Sequence, residues 1–350
     1  MTETALYPID EVLQKKPWSL PDSFRYCERL AMSHYENFPV GSVLIPKKLR
    51  PYVWAIYAFA RRADDIADED FPELDRIPAL EAWQRLLERS LQTRVNHPVF
   101  LALSETIRKF DIPKQLLFDL ITAFKMDVEI KRHPTCEDVL FYCKHSANPV
   151  GRLILHLFSY RDETLMQLSD KICTALQLAN FWQDVSVDIK KNRIYMPLEE
   201  LERFGYSETQ LFALEYNKNF KELMRFQVER TEEMFREGSP LVHHTGGRLG
   251  LELKCVVLGG MGILQKIRAL DYNTLAKRPH FKSKDKILIL AKALFGFQKA
   301  IKKKPTGHRQ RTIDQEPGTQ DHESPHEAGL MAPKAVEEIA ATPRQEGAPL

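Results

Sequence analysis

The sequence predicts an all-α protein. From Pro21 to about Lys302 the apolar residues recur at helical spacing. No stretch alternates apolar and polar residues between hairpin signals. Pro51, Pro78 and Pro113 each fall where a first helical turn would begin, which suits their fixed φ and missing N–H.

Taken in order, residues 1–20, with Pro8 and Pro17, read as an extended lead-in. Helices are expected over residues 22–37, 50–69, 78–92, 97–109, 113–132, 136–145, 147–160, 163–190, 208–237, 241–271 and 283–302. Ser207-Glu208-Thr209-Gln210 is a capping box for one of them. Residues 21–302 are expected to form one helical domain. Residues 303–350 carry six prolines, many charges and almost no large apolar side chains. Such a tail buries too little surface to offset its ordering entropy, so it is expected to be disordered and dispensable for chemistry.

At 350 residues, 43% hydrophobic and 28% charged, the chain has the composition of an ordinary globular protein with a sizeable core. A net charge of +2 gives no strong pull toward nucleic acid or an anionic membrane, and no nucleic-acid partner is expected. Cys27, Cys136, Cys143, Cys173 and Cys255 are scattered, odd in number and without a C-x-x-C pair. That pattern fits free thiols in a reducing cytoplasm. The first residues lack the basic and apolar regions of a signal peptide. The longest apolar run, Cys255 to Leu264, is ten residues with three glycines, too short to span a bilayer.

Chemistry concentrates in two acidic stretches. In the first, Tyr57, Arg61, Asp64 and Asp68 are spaced by 4, 3 and 4 residues. On a helix they share an arc of roughly 60°, with Asp65 to one side. In the second, Gln177, Asn180, Asp184 and Asp188 are spaced by 3, 4 and 4 residues. They share an arc of roughly 80°. A single D-x-x-x-D is common on solvated helix faces. Two oxygen-rich stripes on otherwise apolar helices are harder to explain that way, because buried unpaired acids are costly without a cation. Hard oxygen ligands on rigid helices suit Mg²⁺, which takes phosphate oxygens and water as its remaining ligands. Zinc is disfavoured, since neither stripe holds a His or Cys.

The order D-x-x-x-D, N-x-x-x-D-x-x-x-D, then Arg193-Ile194-Tyr195-Met196-Pro197 resembles the squalene and phytoene synthase family. The resemblance runs from about residue 21 to residue 302. It includes Tyr57, Arg61, Asp127, Tyr142-Cys143, Gly151, Gln177 and Arg278. It implies an isoprenoid synthase helical bundle around a central cavity, with diphosphate bound through Mg²⁺ at both acidic motifs. Ser33-His34-Tyr35-Glu36-Asn37-Phe38-Pro39-Val40 and Asn180-Phe181-Trp182-Gln183-Asp184-Val185 resemble the bacterial hydroxysqualene synthase branch, which acts on presqualene diphosphate in hopanoid biosynthesis. Departures from common family patterns are Asn37 for serine, Gln183 for arginine, Asn148-Pro149 for Ala-Gly, and Gly260 for a tyrosine near the diphosphate. Losing an arginine and a tyrosine suggests a site holding one diphosphate rather than two.

Asp64, Asp68, Asn180, Asp184 and Asp188 are thus the expected metal ligands. Arg61, Arg193 and Arg278 are expected at the diphosphate, with Asp127 and Gln177 nearby. Aromatic faces can stabilise a carbocation; Phe38, Tyr57, Tyr142, Phe181 and Trp182 are the candidates, although Trp182 lies off the stripe and core is the commoner place for aromatics at helical spacing. Tyr142, His145 and Asn148 are the candidates for positioning a capturing water. His145 also reads as a partly exposed helix histidine, and His34 either reaches the diphosphate or packs under the first helix. The expected partner is a prenyl diphosphate lipid, which leaves open a peripheral contact with the inner membrane surface or with pathway enzymes. Rival readings are an enzyme condensing two prenyl diphosphates and a non-catalytic binding relative. Both stripes being complete disfavours the second.

Overall fold

The computed structural model describes residues 17–33, 44–67 and 72–302. His34, Phe38 and Asp68 lie outside these residues, as do the lead-in 1–16 and the tail 303–350. Among the described residues the α-helices are, in order, α1 Leu20–Ser33, α2 Arg50–Ala67, α3 Glu73–Ser90, α4 Pro98–Phe110, α5 Gln115–Glu129, α6 Cys136–Ser146, α7 Asn148–Leu157, α8 Glu163–Asp188, α9 Leu198–Arg203, α10 Glu208–Phe212, α11 Lys218–Gly238, α12 Leu241–His244, α13 Gly247–Ala269, α14 Ser283–Phe295 and α15 Phe297–Lys302. Among the described residues there is no strand, only a single parallel bridge between Arg132 and Ile194. No described helix is long and apolar enough to cross a membrane.

Two large hydrophobic clusters hold the described helices together, beside a small third one at Leu155, Met166 and Leu249. The first joins α1 to α5 through Phe59, Leu80, Trp83, Phe100 and Leu117. The Phe59 ring stacks on Trp83 at 5.9 Å. The second is built around α8, which packs against α7, α11 and α13. Its centre is Trp182, fully buried, whose indole N–H donates to Thr231 Oγ1 at 2.7 Å. A satisfied core indole is therefore the role of Trp182, and it is not part of a reaction wall.

Several boundaries differ from the periodicity, each for a local reason. Pro78 does not start a helix. It lies inside α3, which begins after Pro72 with Glu73 and Asp75 in its first turn. The carbonyl that Pro78 cannot reach belongs to Leu74, which is 92% exposed and stays hydrated. The segment expected as one helix over 208–237 breaks at Leu214, where φ is 53°. It restarts at Asn217, whose side chain accepts from Phe220 N–H at 3.0 Å. The segment expected as one helix over 241–271 breaks after His244 and restarts at Gly247, whose φ is +58°.

On α13, Gly260 sits under the Phe235 ring, and a Cβ there would lie 2.1 Å from Phe235 Cζ. Gly259, one residue before, meets nothing within 4 Å. Gly260→Ala should lower stability by about 1–3 kcal/mol through overpacking. Gly259→Ala should raise it by about 0.5–1 kcal/mol through helix propensity. Urea denaturation of the two variants measures both signs.

Glu252, also on α13, buries its Oε2 with no hydrogen-bond partner among the described residues. Burial alone pushes its carboxyl up to about 7 from 4.5. Because the folded-state value is the higher one, this group's contribution to stability is full below pH 4.5 and is lost as pH rises through about 7. Melting curves across that window should show the native chain losing ground to Glu252→Gln, which has no such ionisation.

Candidate active site

Carboxylates gather where the C-terminal ends of α2, α5 and α8 meet. Asp64 stands one turn before the end of α2, Asp127 in the last turn of α5, and Asp184 and Asp188 in the last turns of α8. None of these helices has a basic residue in its last turn. Acids at a helix C-terminus oppose the helix dipole, at a cost of about 0.3–1 kcal/mol each.

On α2, Arg61 lies between two acids. Its Nη1 donates to Asp64 Oδ2 at 3.0 Å, and its Nη2 is 2.6 Å from Asp65 Oδ1. Asp65 thus shares the arginine rather than pointing aside. Tyr57 lies one turn earlier on α2 and is half-buried. On α8, Arg278 clamps Asp184 with two bonds, Nε to Oδ1 at 2.5 Å and Nη2 to Oδ2 at 2.9 Å. One turn later, Asp188 is pushed up to about 7. Burial is the main cause and the Asp184 charge adds to it, while Arg193, Lys191 and Arg278 act against it. Asn180 is exposed in the middle of α8 and Gln177 is half-buried one turn before it.

The two acidic helices are linked through Asp127 and Arg193. After α8 the chain turns at Asn192, where φ is 55°, and runs beside the segment that follows α5. Ile194 N–H donates to Lys131 O at 3.0 Å, and Leu198 N–H to His133 O at 2.9 Å. This register carries Arg193 and Tyr195 to Asp127. Burial pushes the Asp127 carboxyl up to about 6; the Tyr142 hydrogen bond and the Arg193 charge oppose this, while the Asp64 charge adds to it. Arg193 acts on Asp127 and Asp188 alike. Asp64, Asp127, Arg193, Asp188, Asp184 and Arg278 therefore form one electrostatic neighbourhood.

Aromatic rings wall its inner side. Tyr142 O–H donates to Asp127 Oδ1 at 2.8 Å, and Tyr195 O–H reaches the same oxygen at 3.4 Å. Phe181 stacks on Tyr195 at 3.8 Å and 6°, with Tyr142 at 5.9 Å from Phe181. The buried His133 stacks behind Tyr195 at 5.6 Å. Sequence reasoning missed Tyr195 and His133 as site residues. Tyr195 stood in the sequence only as part of the Arg193-Ile194-Tyr195-Met196-Pro197 motif, a hydroxyl between the apolar Ile194 and Met196.

Two sequence-predicted residues lie elsewhere. On α6, His145 is roughly 40° from Phe141 but roughly 60° from Tyr142 around the helix. Its Nδ1 pairs with Phe141 O at 2.9 Å, and its ring rests on Phe141, which is 53% exposed. Asn148 Oδ1 accepts from Thr174 Oγ1 at 2.9 Å. It lines a separate cleft of about 470 Å³ with Lys144, Arg152 and Asp170. Neither joins Tyr142 at Asp127, so the expected water-positioning trio is not brought together.

The departures at Gln183 and Gly260 also read differently in three dimensions. Gln183 is buried and donates to Pro279 O at 2.6 Å, anchoring the segment that carries Arg278. Gly260 faces Phe235 in the core. Neither position measures how many anions the site holds.

The donor set fits a hard divalent cation: aspartate and asparagine oxygens, with Asp188 short of compensating charge. Among the described residues no three Asp, Glu, His or Cys side chains converge on one point.

An all-α bundle with acidic helix ends above an aromatic wall is the architecture of the isoprenoid synthase class. The family model for squalene/phytoene synthase matches residues 31–284. The chain belongs to the squalene/phytoene synthase family, whose members are enzymes of the prenyltransferase type. Squalene synthase HpnC from Alicyclobacillus acidocaldarius superposes with a TM-score of 0.70 at 39% identity, covering 73% of this chain and 96% of that one. A dehydrosqualene synthase with bound ligand superposes at 0.72 with 25% identity, covering 80% and 98%. Phytoene synthase from Thermus thermophilus is 30% identical over 282 residues, covering 80% of this chain and 95% of the relative.

Asp127 should matter for stability as well as position. Asp127→Ala leaves the Tyr142 hydroxyl without its buried acceptor and should cost about 1–3 kcal/mol. Asp127→Asn keeps an acceptor oxygen and should cost clearly less. Equilibrium unfolding of both variants compares the two.

Proposed function

We propose that this protein converts presqualene diphosphate and water to hydroxysqualene and diphosphate, using Mg²⁺. The observation that carries the reading is the single neighbourhood formed by Asp64, Asp127, Arg193, Asp184 and Arg278. Likeness to squalene synthase HpnC, at 39% identity over 96% of that chain, supports the branch.

Asp64, Asp68, Asn180, Asp184 and Asp188 would hold Mg²⁺. When bound, it supplies positive charge to the departing diphosphate. Arg61 and Arg278, which here neutralise Asp64, Asp65 and Asp184, are the cations able to turn to the substrate's phosphate oxygens. Arg193 supplies a third charge between the two motifs. Loss of diphosphate leaves a carbocation, which the outer face of Phe181 and the ring of Tyr142 are suited to stabilise, with Tyr195 backing Phe181. Burial keeps the Tyr142 hydroxyl protonated, so it serves as a hydrogen-bonding partner and not as a base. Asp127, pushed up to about 6, is the group suited to take the proton that capture by water releases.

A second reading is condensation of two prenyl diphosphates. It is favoured by relatives such as the phytoene synthase of Thermus thermophilus at 30% identity. Mass spectrometry of products distinguishes the two. Purified protein with Mg²⁺ and presqualene diphosphate, without any reductant, should give hydroxysqualene. Rapid consumption of farnesyl diphosphate alone, with presqualene diphosphate untouched, would establish the second reading instead.

A further inference from the structure

Helix α14 lies on the bundle by a narrow stripe. Asp285, Ile289 and Ala293, each four residues apart, face inward, and Ala293 is 1% exposed. The opposite face is not polar. Ile287 is 71% exposed, Leu288 52%, Leu294 51% and Phe295 90%. On a helix these residues share an arc of roughly 120° centred opposite the packing stripe. A contiguous apolar face of this kind marks a surface that meets something.

Charge around the face indicates what. Lys286 and Lys292 are exposed on its two flanks, and Lys284 is exposed within the same arc, one turn before Ile287 and Leu288. Between Lys282 and Lys304 the chain carries eight lysines and one acid, Asp285. That acid is committed inward: its Oδ2 accepts from Lys282 N–H at 2.7 Å and lies 2.9 Å from Lys266 Nζ. The outward surface is therefore apolar along most of its length, with a lysine at its N-terminal end and one on each flank. That is the signature of a helix lying in the plane of an anionic lipid surface.

Its position is also informative. Arg278 clamps Asp184 and Pro279 accepts from Gln183, so the segment leading into α14 is pinned to the mouth of the site. Phe281 then covers Gly262 on α13, with Lys266 over its ring at 5.6 Å. The apolar face starts nine residues after Arg278.

We infer that α14 docks this protein on anionic membrane lipids, bringing the site entrance to the surface where a prenyl diphosphate lipid resides. The choice of lipid substrate rests on the proposed function; the docking itself does not, since it requires neither metal nor turnover.

Co-sedimentation of the full chain with vesicles tests it. The native protein should pellet with vesicles of phosphatidylcholine mixed with phosphatidylglycerol and stay largely in solution with phosphatidylcholine alone. Ile287→Glu/Phe295→Glu should reduce the bound fraction at least about tenfold, because apolar burial carries interfacial binding. Lys284→Gln/Lys286→Gln/Lys292→Gln should reduce it several-fold and make the remainder insensitive to salt. Both variants should release diphosphate from detergent-dispersed substrate at the native rate, which separates docking from catalysis. Equal binding by the native chain and the Ile287→Glu/Phe295→Glu variant would overturn the inference. So would a native dimer, seen by sedimentation velocity, that this variant converts to monomer without any vesicle binding by the native chain.

Discussion

Carboxylate repulsion at converging helix ends is the interaction that the rest of the site is built to contain. Asp64, Asp127, Asp184 and Asp188 stand at C-termini of α2, α5 and α8, where the helix dipole is already negative. Burial adds to the difficulty, pushing Asp127 up to about 6 and Asp188 up to about 7. The protein answers with Arg61 on α2, Arg193 after α8 and Arg278 after α13. Each arginine is held within reach of carboxylates from the motif it serves. Such an arrangement is poor for stability alone, since apolar residues would pack there at lower cost. It suits a site whose missing charge arrives with metal and substrate.

Which parts of this were readable in the sequence follows from what kind of information each requires. The acidic stripes depend only on residue type and the 3.6-residue period, so Asp64, Asp184 and Asp188 were visible. The all-α class was visible for the same reason. Helix breaks at Leu214 and Gly247 were not, because a left-handed turn inside an apolar pattern leaves the periodicity almost unchanged. Tyr195 and His133 enter the site only through the register at Ile194 and Lys131, residues 63 apart that no local pattern pairs. Of the two readings open for His145, the structure supports the partly exposed helix histidine, because three residues on a helix is close to one turn but not on the same line. Its extra 60° or so hands it to Phe141.

Residue identity also misled where it was compared without geometry. Gln183 looked like a lost diphosphate contact, yet it fastens the segment bearing Arg278 through Pro279. Gly260 looked like a lost tyrosine, yet the Phe235 ring fills the space where a side chain would stand. Both changes support the scaffold behind the site. Around Asp127, three hydrogen-bonding or stacking aromatics close the inner wall, so the polar rim and the apolar interior meet at one carboxyl group.

If the acidic ends of α2 and α8 form one diphosphate site, they should act as a unit. Diphosphate release from presqualene diphosphate in the presence of Mg²⁺ measures this for Asp64→Asn, Asp184→Asn and the double variant. Each single change should cost nearly as much as the two together, the non-additivity expected of residues sharing one transition state. Losses that simply multiply in the double variant would contradict a shared site.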